Sequence, residues 1–177
     1  MIIPAGAAAW VLWILVGLIV AQRLAELRLA NRNERWIRAQ GGEEHAPEHY
    51  PLFFLLHGGW LLGWVAEAWL RGPELAPAWA AWAALFLGAQ VLRYWTIRTL
   101  GRRWTTRILT LPDRPPIRTG PFRLLRHPNY LAVAVELLAV PMILGAWVTA
   151  LVATILNAAL LLGVRIPAEE RALARTE

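Results

Sequence analysis

The sequence predicts an all-α integral membrane protein with five transmembrane helices. Of its 177 residues, 58% are hydrophobic and only 17% are charged, whereas a soluble domain has about 25% charged residues. The apolar residues form runs long enough to cross a bilayer core of about 30 Å, which takes roughly 20 residues per helix. Arginines are concentrated between these runs, as they are in membrane proteins. We therefore expect residues 1–177 to form a single membrane domain.

Four apolar runs account for the five spans. They cover Ile2–Ala21, Pro51–Leu70, about Ala76–Ile97, and Asn129–Val164. The fourth run is too long for one helix, and Pro141 and Gly145 mark its middle, so we divide it into a tight hairpin of two short spans. The polar segment Gln22–Gln40 favours helix and is predicted to extend span one at the cytoplasmic interface.

The arginines predict the orientation of the spans. All 18 basic residues are arginine, and they are dense between spans one and two and between spans three and four. The loop between spans two and three contains only Arg71, whereas the tail carries Arg165, Arg171 and Arg175. The positive-inside rule then places the N-terminus outside and the C-terminus in the cytoplasm. Topology also explains the pI of about 11.1, so we expect no nucleic acid partner.

The sequence indicates neither a metal site nor a disulfide. It contains no cysteine. His45 and His49 are four residues apart, but Pro47 between them interrupts the helical face that a pair of metal ligands needs. The segment around them, residues 41–51, is rich in turn-forming residues and is predicted to be a linker.

Residues 120–130, GPFRLLRHPNY, combine the most chemistry in the shortest stretch. Here a basic loop, predicted to be irregular, meets span four, and Pro128 both restricts His127 to extended backbone and favours the start of a helix. Ionisable side chains also occur on the neighbouring spans, at Arg93, Glu136, Arg165, Glu169 and Glu170. Charges inside a membrane are costly and usually face a cavity or one another, so we expect these side chains to converge. In the alternative interpretation, Arg93 reaches the interface and Glu136 pairs with a neighbouring arginine.

The order of these motifs resembles the isoprenylcysteine carboxyl methyltransferase superfamily of membrane methyltransferases. The resemblance rests on GPF-x3-RHPNYL, then a hydrophobic hairpin, then R-x3-EE-x2-L from Arg165 to Leu173. It covers residues 88–173, which we expect to form a methyltransferase-like catalytic core. The N-terminal half, with NRNERW and His49-Tyr50, resembles a bacterial branch whose members methylate alkylpyrones and related polyketide lipids.

The resemblance implies a pocket for S-adenosylmethionine and a role for each matching residue. The implied cofactor contacts are Gly120, Phe122, Arg126, His127, Tyr130, Glu169 and Glu170. Arg93 and Arg165 are implied to hold the oxygen of the acceptor, and guanidinium groups suit that task. A carboxylate acceptor needs no base, whereas an enol or phenol is helped by one, for which Glu136 and His127 are the candidates.

We therefore expect methyl transfer to an oxygen of a small lipophilic acceptor, in the bacterial cytoplasmic membrane, with the site facing the cytoplasm. The expected partners are this acceptor and membrane lipids, and the sequence does not indicate an oligomeric state. The RHPNY string also resembles membrane sterol reductases that use NADPH. In those enzymes an acidic residue follows the string closely, whereas here the next acidic residue is Glu136. A non-catalytic membrane partner of another enzyme is the third possibility, and the charges expected within the membrane argue against it.

Overall fold

The computed structural model describes residues 5–112 and 114–174, so Ile2 and Arg175 lie outside the described residues. Its regular elements are α1 (Ala5–Ala39), β1 (Glu43–His45), α2 (Tyr50–Arg71), α3 (Trp79–Leu100), β2 (Ile108–Thr110), α4 (Pro128–Ile143), α5 (Trp147–Leu160) and α6 (Ile166–Leu173). A π-helical turn, Leu161–Arg165, joins α5 to α6. Short 3₁₀ turns occur at Pro47–His49, Gly101–Arg103 and Gly120–Arg123.

The helices identify an integral membrane protein. Within the described part of the chain, three helical stretches are long and apolar enough to cross a membrane: Ala8–Ala39, Pro47–Arg71 and Trp147–Leu173. Helix α4 is apolar but has only 16 residues, and α3 has 22 residues with Gln90 and Arg93 among them. The count of five spans and their orientation stay predictions.

The predicted hairpin between the last two spans is confirmed. Helix α4 begins at Pro128, as expected of a proline in the first helical turn, and ends at Ile143. Gly145 has a φ of +69° in the left-handed region, which a glycine adopts without steric cost. Helix α5 then starts at Trp147, so the chain reverses within three residues.

The mostly helical fold is confirmed, but two short strands correct the all-α prediction. Strand β1 lies in the predicted linker and pairs antiparallel with β2, with Glu43 opposite Thr110 and His45 opposite Ile108. Three-residue strands are too short for a recognisable alternation of apolar and polar residues. Each also needs a partner far away in the sequence. We call this pair the two-stranded ribbon. Helix α1 is continuous through the polar segment that was predicted to extend span one.

The apolar core lies where α2 packs against α4 and α5. Trp60 and Trp64 of α2 are buried in it, and Trp60 Nε1 donates to the carbonyl oxygen of Leu137 at 2.9 Å. Gly63 allows α2 to approach α5 closely, because a Cβ there would lie 3.1 Å from Thr149 Cγ2. Glu67 then accepts hydrogen bonds from the backbone N–H groups of Val148 and Thr149, at 3.1 and 2.8 Å. A side chain of α2 thus caps the N-terminus of α5.

Glu67→Ala removes this cap, and we expect it to lower the free energy of unfolding by about 0.5–2 kcal/mol. The measurement is the thermal unfolding midpoint of the protein purified in detergent. Glu74→Ala is the matched control, because Glu74 is exposed in the loop after α2. An equal loss of stability in both variants would contradict the capping role.

Glu44 attaches the two-stranded ribbon to α1. Its carboxylate pairs with Arg38 of α1 and, at 2.6 Å, with Nη1 of Arg107. Burial alone raises the pKa of Glu44, but the hydrogen bonds from Arg107 and Arg38 outweigh it, so the pKa lies below its ordinary value. Because the pKa is lowered on folding, this stabilisation is complete above about pH 4.3, the ordinary pKa of a glutamate. It is lost as the pH falls through the lowered pKa.

We expect Glu44→Gln to lower the unfolding midpoint at neutral pH, and the deficit to shrink as the pH is lowered below about 4. The measurement is a series of thermal unfolding curves from neutral to acidic pH. Glu43→Gln is the control, since Glu43 precedes it on the same strand and is exposed. A deficit for Glu44→Gln that is independent of pH would rule out ion pairing as its cause.

Candidate active site

A cluster of four charged side chains lies between α1, α3 and α4, and three of them, Glu26, Arg93 and Glu136, are buried. Arg93 donates to Glu26 at 3.0 Å and to Glu136 at 2.5 Å. Arg23 donates to the same two carboxylates, at 2.7 Å to Glu26 and through a short contact to Glu136. Gln90 adds a hydrogen bond to Glu136 at 3.4 Å. Two guanidinium and two carboxylate groups cancel in charge, so this cluster is neutral as a whole.

Glu136 is locked within this cluster. It is fully buried, both of its oxygens accept from arginines, and it is not among the residues that line the adjacent cavity. Arg93 and Glu136 therefore lie together, as predicted. Glu136 pairs with arginine, which is what the alternative interpretation expected. The geometry does not favour the role of a base that was predicted for Glu136, because neither oxygen is directed at open space.

A cavity of about 510 Å³ lies beside the charged cluster. Its walls come from every helix and from strand β2 of the two-stranded ribbon, and they include both charged and apolar side chains. Arg93 and Arg165 line it, together with the predicted cofactor residues Phe122, Arg126, His127, Tyr130 and Glu169. Phe54 also lines it and is 68% exposed on the outer face of α2. The cavity thus extends from the loop region to the surface that faces lipid, and its volume is that of a typical small-molecule site.

The two sequence motifs meet at this cavity. The His127 ring stacks on Tyr130, with centroids 5.5 Å apart. Tyr130 Oη donates to Glu169 through a short hydrogen bond, and His127 Nε2 lies 3.3 Å from Glu170 Oε1. Arg165 Nε donates to Tyr130 Oη at 3.0 Å. The start of α4 and the start of α6 are therefore joined by their own motif residues.

The π-helical turn positions Arg165. This residue ends the turn, and its Nη2 donates to the carbonyl oxygen of Thr106 at 2.9 Å. Its guanidinium carbon lies 5.8 Å from the centre of the Phe53 ring. A π turn contains one residue more per turn than an α-helix, and such turns occur frequently at functional sites. Here it allows Arg165 to contact the loop while α6 continues in the same direction.

Two predicted cofactor residues, Gly120 and Glu170, are absent from the cavity walls. Gly120 has a φ of +59°, and a Cβ there would lie 2.4 Å from Thr99 Oγ1, so it permits the loop to pack on α3. The side chain of Glu170 is half exposed and contacts the site through His127. Gly120 and Glu170 therefore support the site without lining the cavity.

Several residues of the site were not singled out from the sequence. Arg23 had been counted only among the arginines that orient the spans, and Glu26 had not been considered, although their spacing of three on one helix face is typical of an ion pair. Asn129 and Asn157 both line the cavity, and each has a buried amide oxygen without a hydrogen-bond donor among the described residues. Because an unsatisfied buried oxygen is costly, these two amides indicate places where a bound molecule supplies donors.

Arginines outnumber carboxylates among the side chains that line the cavity. Arg103 lines it, and burial, followed by the positive charge of Arg114, lowers the pKa of the Arg103 guanidinium. Arg103 also donates to the carbonyl oxygen of Pro115 at 2.7 Å, which holds the loop in place. Arginines gathered around a cavity attract an anionic group.

Comparison with known proteins agrees with the motifs. The isoprenylcysteine carboxyl methyltransferase (ICMT) family matches residues 82–175, more than half of the chain. A Bacillus subtilis protein described as uncharacterized, YpbQ, is 37% identical over 161 residues, which cover 91% of this chain and 95% of that protein. An uncharacterized Haemophilus influenzae protein is 28% identical over 156 residues, covering 88% and 90% of the two chains. No solved structure is significantly similar to the chain.

The geometry of the charged cluster predicts that Glu136→Gln acts on stability. Removing one partner of a buried ion pair leaves an uncompensated charge and costs about 3–5 kcal/mol, so we expect a large drop in the thermal unfolding midpoint. Glu48→Gln is the control, since its side chain is 66% exposed beside His49. A Glu136→Gln protein of unchanged stability that had lost only turnover would instead support its predicted role as a base.

Proposed function

The chain belongs to the isoprenylcysteine carboxyl methyltransferase family, and we propose that it transfers a methyl group from S-adenosylmethionine to an oxygen of a small lipophilic acceptor in the membrane. The observation that carries this proposal is the joining of His127 and Tyr130 to Glu169 and Glu170 at one cavity, which also opens towards lipid. A water-soluble methyl donor and a lipid-soluble acceptor need a site that is lined by both polar and apolar side chains.

Several residues that line the cavity fit the groups of the methyl donor. Glu169 is a carboxylate suited to an ammonium group, and Arg103 and Arg126 are suited to a carboxylate. Phe122 and Tyr130 supply aromatic faces for the adenine ring and for the positive sulfonium. The unsatisfied Asn129 oxygen can accept from an amino or hydroxyl group. When bound, S-adenosylmethionine supplies an electrophilic methyl group.

The remaining side chains align the acceptor and keep water away. Arg93 lines the cavity, and its Nε–H has no acceptor among the described residues, so a donor of this guanidinium is still available to an acceptor oxygen. Arg165 lies on the same cavity and is held by Tyr130 and Thr106. Fixing the oxygen in line with the methyl group is the main catalytic task, because good alignment of two reactants contributes several kcal/mol.

The arginine distribution supports a site that faces the cytoplasm of a bacterial cell, with the N-terminus outside. In this orientation the loop after α3 and the start of α6 lie where the soluble methyl donor is available. The apolar part of the cavity wall then lies within the membrane, where a lipophilic acceptor dissolves. The polyketide lipids implied by the resemblance are acceptors of this kind.

Ligand-induced thermal stabilisation of the purified protein tests the proposal. We expect S-adenosylmethionine and S-adenosylhomocysteine to raise the unfolding midpoint, by an amount set by ligand concentration over Kd, and NADPH to leave it unchanged. His127→Ala should abolish the shift, because it removes the ring that stacks on Tyr130 and contacts Glu170.

His49→Ala is the matched control, since His49 lies outside the cavity walls. Stabilisation by NADPH alone would favour the reductase alternative. Absence of any shift would favour a non-catalytic role.

A further inference from the structure

His57 is a second histidine of the cavity, and neither motif contains it. It lies on α2 and lines the cavity together with Phe53, Phe54 and Gly58 of the same helix. Gly58 leaves open space beside it, since a Cβ at that position meets no atom within 4 Å. The imidazole is therefore on the part of the wall that belongs to the membrane-spanning helices, away from the loop motifs.

The hydrogen bond of His57 defines which ring nitrogen carries the proton. Nδ1 lies 2.7 Å from the carbonyl oxygen of Phe53. A carbonyl oxygen only accepts, so Nδ1 must be the donor. In the neutral ring, Nε2 is then the unprotonated nitrogen, and the hydrogen bond of Nδ1 to Phe53 is the one that the His57 side chain makes with the described residues. Histidines held in this way by a backbone carbonyl are oriented for proton transfer at the other nitrogen.

The other candidates for a base are engaged elsewhere. Both oxygens of Glu136 accept from Arg23 and Arg93. His127 has Glu170 at Nε2 and Glu169 at 3.9 Å from Nδ1. His57 remains, with an unprotonated nitrogen on a wall of the same cavity.

We infer that His57 is the general base that removes the proton from the hydroxyl group of the methyl acceptor. This rests on the proposed function. A carboxylic acid is ionised at neutral pH and needs no base. A hydroxyl group must lose its proton, and a base within the cavity removes it where water is excluded.

The proposed reaction couples a proton transfer to a methyl transfer. The acceptor O–H bond breaks and its proton moves to Nε2 of His57. The oxygen forms a bond to the methyl carbon as that carbon's bond to the sulfur of S-adenosylmethionine breaks, and the electron pair of that bond stays on sulfur. The products are a methyl ether, a neutral thioether and an imidazolium, which returns its proton to water at the open end of the cavity.

The surroundings of His57 suit this step. The charged groups that act on the ring are Arg23 of α1, Arg93 of α3 and Glu136 of α4. The two arginines favour negative charge on the acceptor oxygen as its proton leaves. Asn157 of α5 also lines the cavity, and its buried oxygen lacks a donor. A further polar group on the acceptor would satisfy it.

His57→Gln separates proton transfer from positioning, since the amide can accept a hydrogen bond but cannot take a proton. We would measure methyl transfer from S-adenosylmethionine to three acceptors of equal chain length: an alkylphenol, an alkyl nitrophenol that is ionised at the assay pH, and a fatty acid. For the alkylphenol we expect a loss of roughly 100- to 10,000-fold, which is the usual contribution of a general base. The nitrophenol, which has no proton to lose, should lose far less. The wild-type protein should favour the phenols over the fatty acid.

S-adenosylhomocysteine stabilisation of His57→Gln shows that the variant is folded, and His49→Gln is the matched histidine control. Equal losses on both phenols, no loss on either, or preference for the fatty acid would overturn the inference. If the wild-type protein binds S-adenosylhomocysteine but transfers no methyl group to either phenol, the inference about His57 is overturned, whereas the proposed binding site for the methyl donor is retained. Failure of the wild-type protein to bind S-adenosylhomocysteine overturns both proposals.

Discussion

Pairing of charges between α1, α3 and α4 is the constraint on which the rest of the structure depends. Arg23 and Glu26 on α1, Arg93 on α3 and Glu136 on α4 are each costly to bury alone. Together they form a neutral cluster. The three helices must therefore meet at matching depth and rotation, since a shift of either kind would break several ion pairs at once. This requirement fixes the wall beside which the cavity forms.

Local rules were enough to predict a large part of the fold. Pro128 favours a helix start and Gly145 a reversal, and both effects act within a few residues, so the α4–α5 hairpin was predictable. The meeting of His127 with Glu169 and Glu170 was predictable only through the family resemblance. Nothing in their spacing along the chain specifies that contact.

The rest of the fold and of the site depends on contacts between residues that are distant in the sequence. Arg23 looked like one of many cytoplasmic arginines until α3 and α4 placed carboxylates and Arg93 beside it. The π turn before α6 was not predicted, although Gly163 within it and Pro167 after it disfavour a regular α-helix. His57 is a polar residue in a mostly apolar part of α2. Only the cavity beside it distinguishes it from a packed histidine.

The two-stranded ribbon sets an order of events during synthesis. Strand β1 leaves the ribosome well before β2, with all of α2 and α3 between them, so its partner does not yet exist. Ile108 of β2 in turn packs against Ala168 and Ala172 of α6, which are made near the end. The cavity is thus completed only when α6 has been made, because Glu169 and Leu173 of this helix form part of its wall. On the proposed function, a nascent chain that contains only α1 to α5 is not yet able to bind the methyl donor.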